Sequence, residues 1–289
     1  MATSTQTRSA ARRVGGVFVR HAREFAALTL LVTFALVLLG EFTAAAGAGA
    51  TCNNTYPGCA GQFSPVGLSV PQFVEWFHRL VAMSVGYLIV GNAVLAWWTE
   101  RGTRASRAAW LAALLLPVQV VFGALTVTVA GLVPGGYAPP TQLVHFTTAL
   151  AIFVALTAAA LWLDAARGRG ATTRRLRIAA YGGLALPLLQ AVVSRGGPLT
   201  FWPTVQTTYH ALGLLGIAAF VALALWARER AETDLAVLGA VGATITLLNE
   251  YLVNGLFVVT ARVEAVMSVL LAVQFVLFLA AAWRARRLA

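Results

Sequence analysis

The chain has 289 residues, of which 59% are hydrophobic and 11% are charged, and its formal net charge is +11. Its mean hydropathy is +0.78. A soluble domain of this length needs more polar surface, so the composition excludes an ordinary soluble protein. The positive charge comes from arginine alone and lies between apolar runs, which argues against nucleic-acid binding.

Long apolar runs predict an all-α integral membrane protein with eight transmembrane helices. A helix needs about 20 apolar residues to cross the hydrocarbon core. The first run is long, and no small-residue cleavage site leads from it into a soluble mature domain, so we interpret it as a span and not as a signal peptide. The predicted spans are 25–46, 72–98, 109–131, 141–163, 177–194, 204–227, 235–258 and 263–284.

The arginines predict the topology of the chain. Eighteen of the 21 lie before the first span, after an even-numbered span, or at the end of the chain. Arginine and lysine are enriched in cytoplasmic loops, so we predict a multi-pass protein of the cell membrane with both termini cytoplasmic. The opposite loops are rich in Gly, Pro and Ser, as expected of the outer face.

A weak internal repeat predicts two pseudo-symmetric four-helix bundles. PQFVEWFHRLVAMSVG in the second span is similar to PTVQTTYHALGLLGIA in the sixth, and the fourth span aligns without gaps with the eighth. We therefore divide the chain into a basic cytoplasmic segment, 1–24, an N-terminal half, 25–165, and a C-terminal half, 166–289.

Three of the four histidines, His78, His145 and His210, lie inside predicted spans. All three are within about two turns of the outer end of an even-numbered span, so the helix rise places them at similar depth. A histidine in a span can serve as an interhelical hydrogen-bonding group. Imidazoles on facing helices also ligate haem iron from both sides. We predict that His78 and His145 bind one haem and that His210 serves the C-terminal half, whereas His21 lies on the surface.

Acidic residues accompany these histidines. Glu75 lies one turn before His78, on the same helix face. It either forms an ion pair with Arg79 or handles protons beside the iron, and we favour the second role. Arg79 is also a candidate partner for a haem propionate. Glu250 is a candidate for interhelical bonding or a proton route, and Glu41 is predicted at the membrane interface.

Both cysteines of the chain, Cys52 and Cys59, fall in the first outer loop. On an oxidising face such a pair can close as a disulfide. Its role is either to staple a flexible loop or to exchange electrons, and the sequence leaves both open.

Several segments occur in an order typical of one enzyme family. They are TCNNTYPGCAGQFSP at 51–65, VEWFHRL at 74–80, FGALTV at 122–127 after Gln119, QLVH at 142–145 and VQTTYH at 205–210. Together they resemble haem A synthase, the membrane enzyme that oxidises a methyl group of haem O to the formyl group of haem A. VEWFHRL is similar to the glutamate-x-x-histidine-arginine motif of that family.

The resemblance implies roles for these residues. Glu75, His78 and His145 would form the catalytic site that binds and oxidises haem O, and His210 would ligate a resident haem b. The cysteine pair would be the redox-active or structural pair of the family. The implied partners are haem O, a haem O synthase, an electron donor and the lipid bilayer, and whether the chain forms a homo-oligomer is left open.

The chain departs from the family pattern in two places. The eighth span of the family normally supplies another histidine to the second haem, but no histidine follows His210. In the repeat alignment Val266 stands opposite His145, and its neighbour Met267 has a thioether that can ligate haem. Met267 is therefore the predicted replacement, the alternatives being a packing role for Met267, a five-coordinate iron or loss of the second haem. The chain also lacks the cysteine pair that some members have in the third outer loop.

Two rival functions remain from the sequence. A non-catalytic b-type cytochrome that moves electrons would keep the histidines but has no need of Glu75. A transporter is disfavoured because the histidines lie near one face and no span is broken in mid-membrane. The Glu75 motif and the cysteine loop favour the enzyme.

Overall fold

The computed structural model describes residues 21–128, 139–253 and 260–288. Every regular element in these ranges is a helix, and an isolated β-bridge joins Cys59 to Gln62. The prediction of an all-α fold is confirmed. Residues 1–20 of the predicted basic segment, and residues 129–131 and 254–258 of two predicted spans, lie outside the described ranges.

Nine helices occur in the described part of the chain, and seven of them are long and apolar enough to cross a membrane. The helices are α1 (Ala22–Ala45), α2 (Val70–Thr99), α3 (Arg104–Thr128), α4 (Pro139–Ala166), α5 (Thr173–Gly183), α6 (Ala185–Val192), α7 (Pro203–Glu229), α8 (Thr233–Val253) and α9 (Ala261–Arg286).

The fifth predicted span consists of the two short helices α5 and α6, which meet at Leu184. Pro187 follows three residues later. Because proline has no backbone N–H and its ring crowds the preceding turn, it interrupts the regular hydrogen bonding of the helix at this point. Together α5 and α6 form one kinked segment in the place of the fifth predicted span, so the helices agree in number and order with the eight predicted spans. The expectation that no span is broken is wrong here, because this segment is interrupted at Leu184.

The helices pack as two rings of four. In the N-terminal ring, α1 and α3 each pack against both α2 and α4. In the C-terminal ring, the α5–α6 segment and α8 each pack against both α7 and α9. Consequently α2 faces α4 diagonally, and α7 faces α9 in the same way. The predicted pseudo-symmetry relating the two halves stays a prediction.

The two rings meet where α1 and α4 pack against α7. An apolar cluster at this junction includes Phe146 and Phe153 of α4 with Leu214 and Ile217 of α7. Buried apolar surface of this kind holds the rings together away from water and lipid.

Close packing within the C-terminal ring depends on glycine. A Cβ atom added to Gly242 of α8 would overlap the ring of Phe220 on α7. Phe220 in turn stacks on Phe278 of α9, with ring centroids 3.7 Å apart. The interior of this ring is therefore filled by aromatic side chains that leave no room for an added methyl group.

We expect Gly242→Ala to lower the free energy of unfolding by about 1–3 kcal/mol, since overpacking forces aromatic rings or backbone to move. Gly216→Ala is a matched control: its Cβ would make an ordinary contact of 3.5 Å with Thr246, and it gains the same helix propensity. Thermal unfolding in detergent measures the stability of both variants. Equal stability of the two variants would contradict the close packing described above.

Candidate functional site

His78 and His145 lie on the diagonally opposed helices α2 and α4 of the N-terminal ring. Each imidazole approaches a glycine of an intervening helix. A Cβ atom on Gly40 of α1 would lie 3.1 Å from Cε1 of His78, and one on Gly123 of α3 would lie 2.9 Å from Cε1 of His145. Both rings are half-buried. The structure thus brings the two predicted ligands into one region of the ring.

The orientation of His145 is fixed by Gln119 of α3. Nδ1 of His145 lies 3.1 Å from the backbone carbonyl oxygen of Gln119, and a carbonyl only accepts, so Nδ1 is the protonated nitrogen. The hydroxyl of Thr148 donates to the side-chain oxygen of Gln119. Nε2 then has the lone pair, and its neighbour is the Gln119 amide nitrogen at 3.4 Å. This is how metal-binding histidines are usually held.

The ring of His78 is less constrained. Its Nδ1 is buried and has no hydrogen-bond partner among the described residues. A buried polar atom without a partner is costly and needs an explanation, and a bound ligand is one such explanation. Two imidazoles on opposed helices, one with an unpartnered nitrogen, fit the iron of a porphyrin.

Glu75 lies one turn from His78 and is 4% exposed. Its carboxylate accepts a hydrogen bond of 2.7 Å from Nε of Arg79. The ion pair, one of the two roles considered for Glu75, is therefore present in the structure. It compensates a carboxylate that would be expensive to bury alone.

Arg79 also binds the first outer loop. Its Nη1 donates to the backbone oxygens of Thr55, at 2.7 Å, and of Gly58, and its guanidinium lies 5.3 Å from the ring centroid of Tyr56. Of the three guanidinium nitrogens of Arg79, Nη2 alone is buried without a hydrogen-bond partner among the described residues. Arg79 therefore has one nitrogen to offer a propionate, and the others join Glu75 to the loop.

The predicted disulfide between Cys52 and Cys59 is confirmed. Both cysteines are fully buried. The loop that they close is tied to α2 by Gln72, which donates to the backbone oxygen of Thr51 at 3.2 Å, and by Trp76, which donates to that of Phe63 at 2.8 Å. Because the sulfur atoms are shielded from solvent, the geometry favours the stapling role over exchange with soluble thiols.

His210 of α7 contacts two carboxylates. Its Nδ1 lies 2.6 Å from Oε2 of Glu250 on α8, and its Nε2 lies 3.3 Å from Oε2 of Glu41 on α1. The imidazole is 1% exposed. Glu41, predicted at the membrane interface, has its side chain buried against His210 between the two rings. Glu250 on α8 contacts His210 on α7, so interhelical bonding, one of the two roles predicted for Glu250, is present in the structure.

Met267 of α9 is 3% exposed and belongs to an apolar cluster with Tyr209, Val253 and Leu271. It makes the packing contacts that were the alternative to its predicted role as a ligand. With His210 enclosed by carboxylates and Met267 enclosed by apolar side chains, the residues present do not fit a resident haem b between α7 and α9.

Arg79→Gln should loosen the cysteine loop, because an amide cannot span Glu75, Thr55 and Gly58 together. We expect faster amide hydrogen exchange in residues 52–62 and easier reduction of the disulfide by a membrane-impermeant phosphine. Arg101→Gln, which changes an exposed arginine next to Trp97, is the control. Unaltered exchange in the loop of the Arg79 variant would show that the guanidinium does not hold it.

Comparison with known proteins identifies the family. The sequence profile of the COX15-CtaA family, described as cytochrome oxidase assembly protein, matches residues 23–198. A protein named protoheme IX farnesyltransferase from Halobacterium salinarum is 41% identical over 136 residues, which is 47% of this chain and 29% of that protein. Its counterpart from Natronomonas pharaonis is 36% identical over 141 residues, 48% of this chain and 28% of the relative.

A Heme A synthase from Bacillus mycoides is 28% identical over 138 residues, which is 47% of this chain and 42% of that protein. The matches thus span less than half the length of these curated relatives. The family profile covers more than half of the present chain and includes Glu75, His78, His145 and both cysteines. The chain belongs to the cytochrome oxidase assembly protein family.

Proposed function

We propose that the protein is a haem A synthase, an oxidoreductase that converts a methyl group of haem O to the formyl group of haem A for assembly of a terminal oxidase. The observation on which the proposal rests is the pair of half-buried imidazoles, His78 and His145, on opposed helices beside the buried Glu75. The family of the chain and the relatives named Heme A synthase support the same activity.

His78 and His145 would hold haem O in the N-terminal ring by approaching its iron from opposite sides. The porphyrin iron supplies the redox chemistry. Gln119 keeps the proton of His145 on Nδ1, so that Nε2 has the lone pair that could bind the metal. The Gln119 amide nitrogen, 3.4 Å from Nε2, would have to move aside for iron to bind there. A Cβ atom at Gly123 would push against the His145 ring, and one at Gly40 would be tight against the His78 ring, so glycine suits both positions.

Glu75 would handle protons beside the substrate. Each hydroxylation of the methyl carbon by dioxygen uses two protons and two electrons and releases one water, so a group that relays protons is needed at the porphyrin edge. Glu75 is buried one turn from His78, and its hydrogen bond from Arg79 holds the carboxylate in place. Arg79 would in addition offer Nη2 to a propionate.

The proposed setting is the cell membrane, with both termini cytoplasmic and the histidine layer near the outer face. Haem O would come from a haem O synthase. Dioxygen would be the oxidant: two successive hydroxylations of the methyl carbon, each with two electrons from a donor and release of one water, would give a gem-diol that loses water to leave the formyl group. The proteins named protoheme IX farnesyltransferase that share part of this sequence support a link between prenylation of the porphyrin and its oxidation.

Glu75→Gln tests the proposed chemistry, because the amide keeps the shape of the side chain but cannot accept a proton. In cells that supply haem O, we expect the haem A yield to fall about 100-fold or more. Bound haem, measured by its absorbance, should change by less than a factor of two. Glu229→Gln is the control, since this carboxylate accepts a hydrogen bond from Ala171 at the other end of the helices. Undiminished haem A in the Glu75 variant would remove this residue from the reaction.

His78→Ala and His145→Ala test the binding site. Each should lose most of the bound haem O, because one axial nitrogen is removed. His21→Ala alters an exposed histidine beside Glu24 and should have no effect. Extraction of haem and chromatography with mass detection provide the measurement. If the wild-type protein yields only haem B and transfers electrons, the chain is instead the non-catalytic b-type cytochrome.

A further inference from the structure

A buried polar network occupies the part of the C-terminal ring where the sequence predicts a second haem. His210 lies between Glu250 and Glu41, as described above. Nε2 of Gln190, on α6, lies 3.3 Å from Oε1 of Glu250 and donates to the backbone oxygen of Tyr209 at 3.1 Å. The network therefore connects four helices, α1, α6, α7 and α8, and its members are almost fully enclosed.

The nitrogens of His210 do not offer the geometry of a haem ligand. Iron needs an open lone pair with space beyond it for the porphyrin plane. Nδ1 is occupied by Glu250 at 2.6 Å. Nε2 has no hydrogen-bond partner among the described residues, but the carboxylate oxygen of Glu41 lies 3.3 Å from it and fills the space that a porphyrin would need. The rings of Phe146 and Tyr209 pack edge-on against the imidazole, with centroids 6.2 and 6.0 Å away.

The surroundings of the histidines differ between the two rings. In the N-terminal ring His78 and His145 are half-buried, and the glycines beside them contact the imidazoles. In the C-terminal ring His210 is 1% exposed, and Gly213, one turn further along α7, is covered by the Glu250 carboxylate and the Gln190 amide. The volume next to His210 is thus filled by the protein's own side chains.

The space between α7 and α9 is also filled by side chains. Tyr209 is fully buried, accepts a hydrogen bond at its hydroxyl from Asn249, and packs with Met267 in one apolar cluster. Opening a slot for a porphyrin between α7 and α9 would separate these side chains and leave Glu41 and Glu250 without their shared partner. Breaking a buried charged pair in this way is strongly unfavourable.

We propose that this chain binds a single haem, in the N-terminal ring, and that the Glu41–His210–Glu250 bridge takes the place of a second haem in the C-terminal half. Glu41 belongs to the N-terminal ring, and His210 and Glu250 belong to the C-terminal ring. The bridge therefore fixes the position of α1 against α7 and α8. A buried polar network at such a junction favours one arrangement of the helices.

The ratio of haem to polypeptide tests the proposal. Full-length protein is produced in cells with ample porphyrin supply and purified, and haem is measured as the pyridine complex against protein by amino-acid analysis. We expect about one haem per chain in the wild type and less than about one tenth in the His78→Ala/His145→Ala double variant. His210→Gln should keep one haem, because glutamine still donates to a carboxylate.

A ratio near two in the wild type, or a haem retained in the double variant and lost on His210→Gln, would overturn the single-haem proposal and leave the oxidation of haem O standing. A ratio near zero in the wild type would overturn the proposed function as well. The haem count thus separates failure of the proposal from failure of the function.

The stabilising role of the Glu41–His210–Glu250 bridge is tested by a separate pair of measurements, Tm and the haem absorbance bands. Glu250→Gln should lower Tm by about 5 °C or more, since it weakens a buried charged contact. Its Soret and α-band positions should match those of the wild type, because the residue is remote from the only iron. A shift of those bands with little loss of Tm would mean that His210 is an iron ligand and would refute the proposal.

Discussion

The arrangement of α2 and α4 is the constraint on which the rest of this structure depends. The two helices face each other diagonally across the N-terminal ring and are kept apart by α1 and α3. Gly40 and Gly123 let the intervening helices come close to the imidazoles of His78 and His145 without filling the space between them. Two imidazoles on facing helices follow from this geometry, and the proposed binding of a porphyrin between them depends on it.

Around that pair, α2 and the first outer loop act as one unit. Glu75, His78 and Arg79 lie within two turns of one another, and Arg79 connects the carboxylate to the loop that Cys52–Cys59 closes. A buried carboxylate needs a compensating charge, and the arginine that provides it is itself held by backbone carbonyls. The disulfide loop thereby contributes to the position of Glu75, although it lies outside the membrane-spanning helix.

The sequence predicted the features that depend on composition and spacing. The length of the apolar runs predicted the helices, and the two cysteines of one loop predicted the disulfide. The histidines of the second and fourth predicted spans lie on facing helices. Other features depend on contacts between distant segments, which periodicity does not encode. Examples are the burial of Glu41 against His210, the anchoring of His145 by Gln119 and the loop contacts of Arg79. Pro187 was a visible signal for the kink between α5 and α6.

Electron paramagnetic resonance of the purified ferric protein, loaded with haem, tests the central claim most directly. Axial ligation by His78 and His145 predicts a low-spin signal typical of two imidazoles. This signal should convert to high spin when either histidine is replaced by alanine. A high-spin wild-type signal, a signal typical of thioether ligation, or a low-spin signal that survives loss of both histidines would contradict the account.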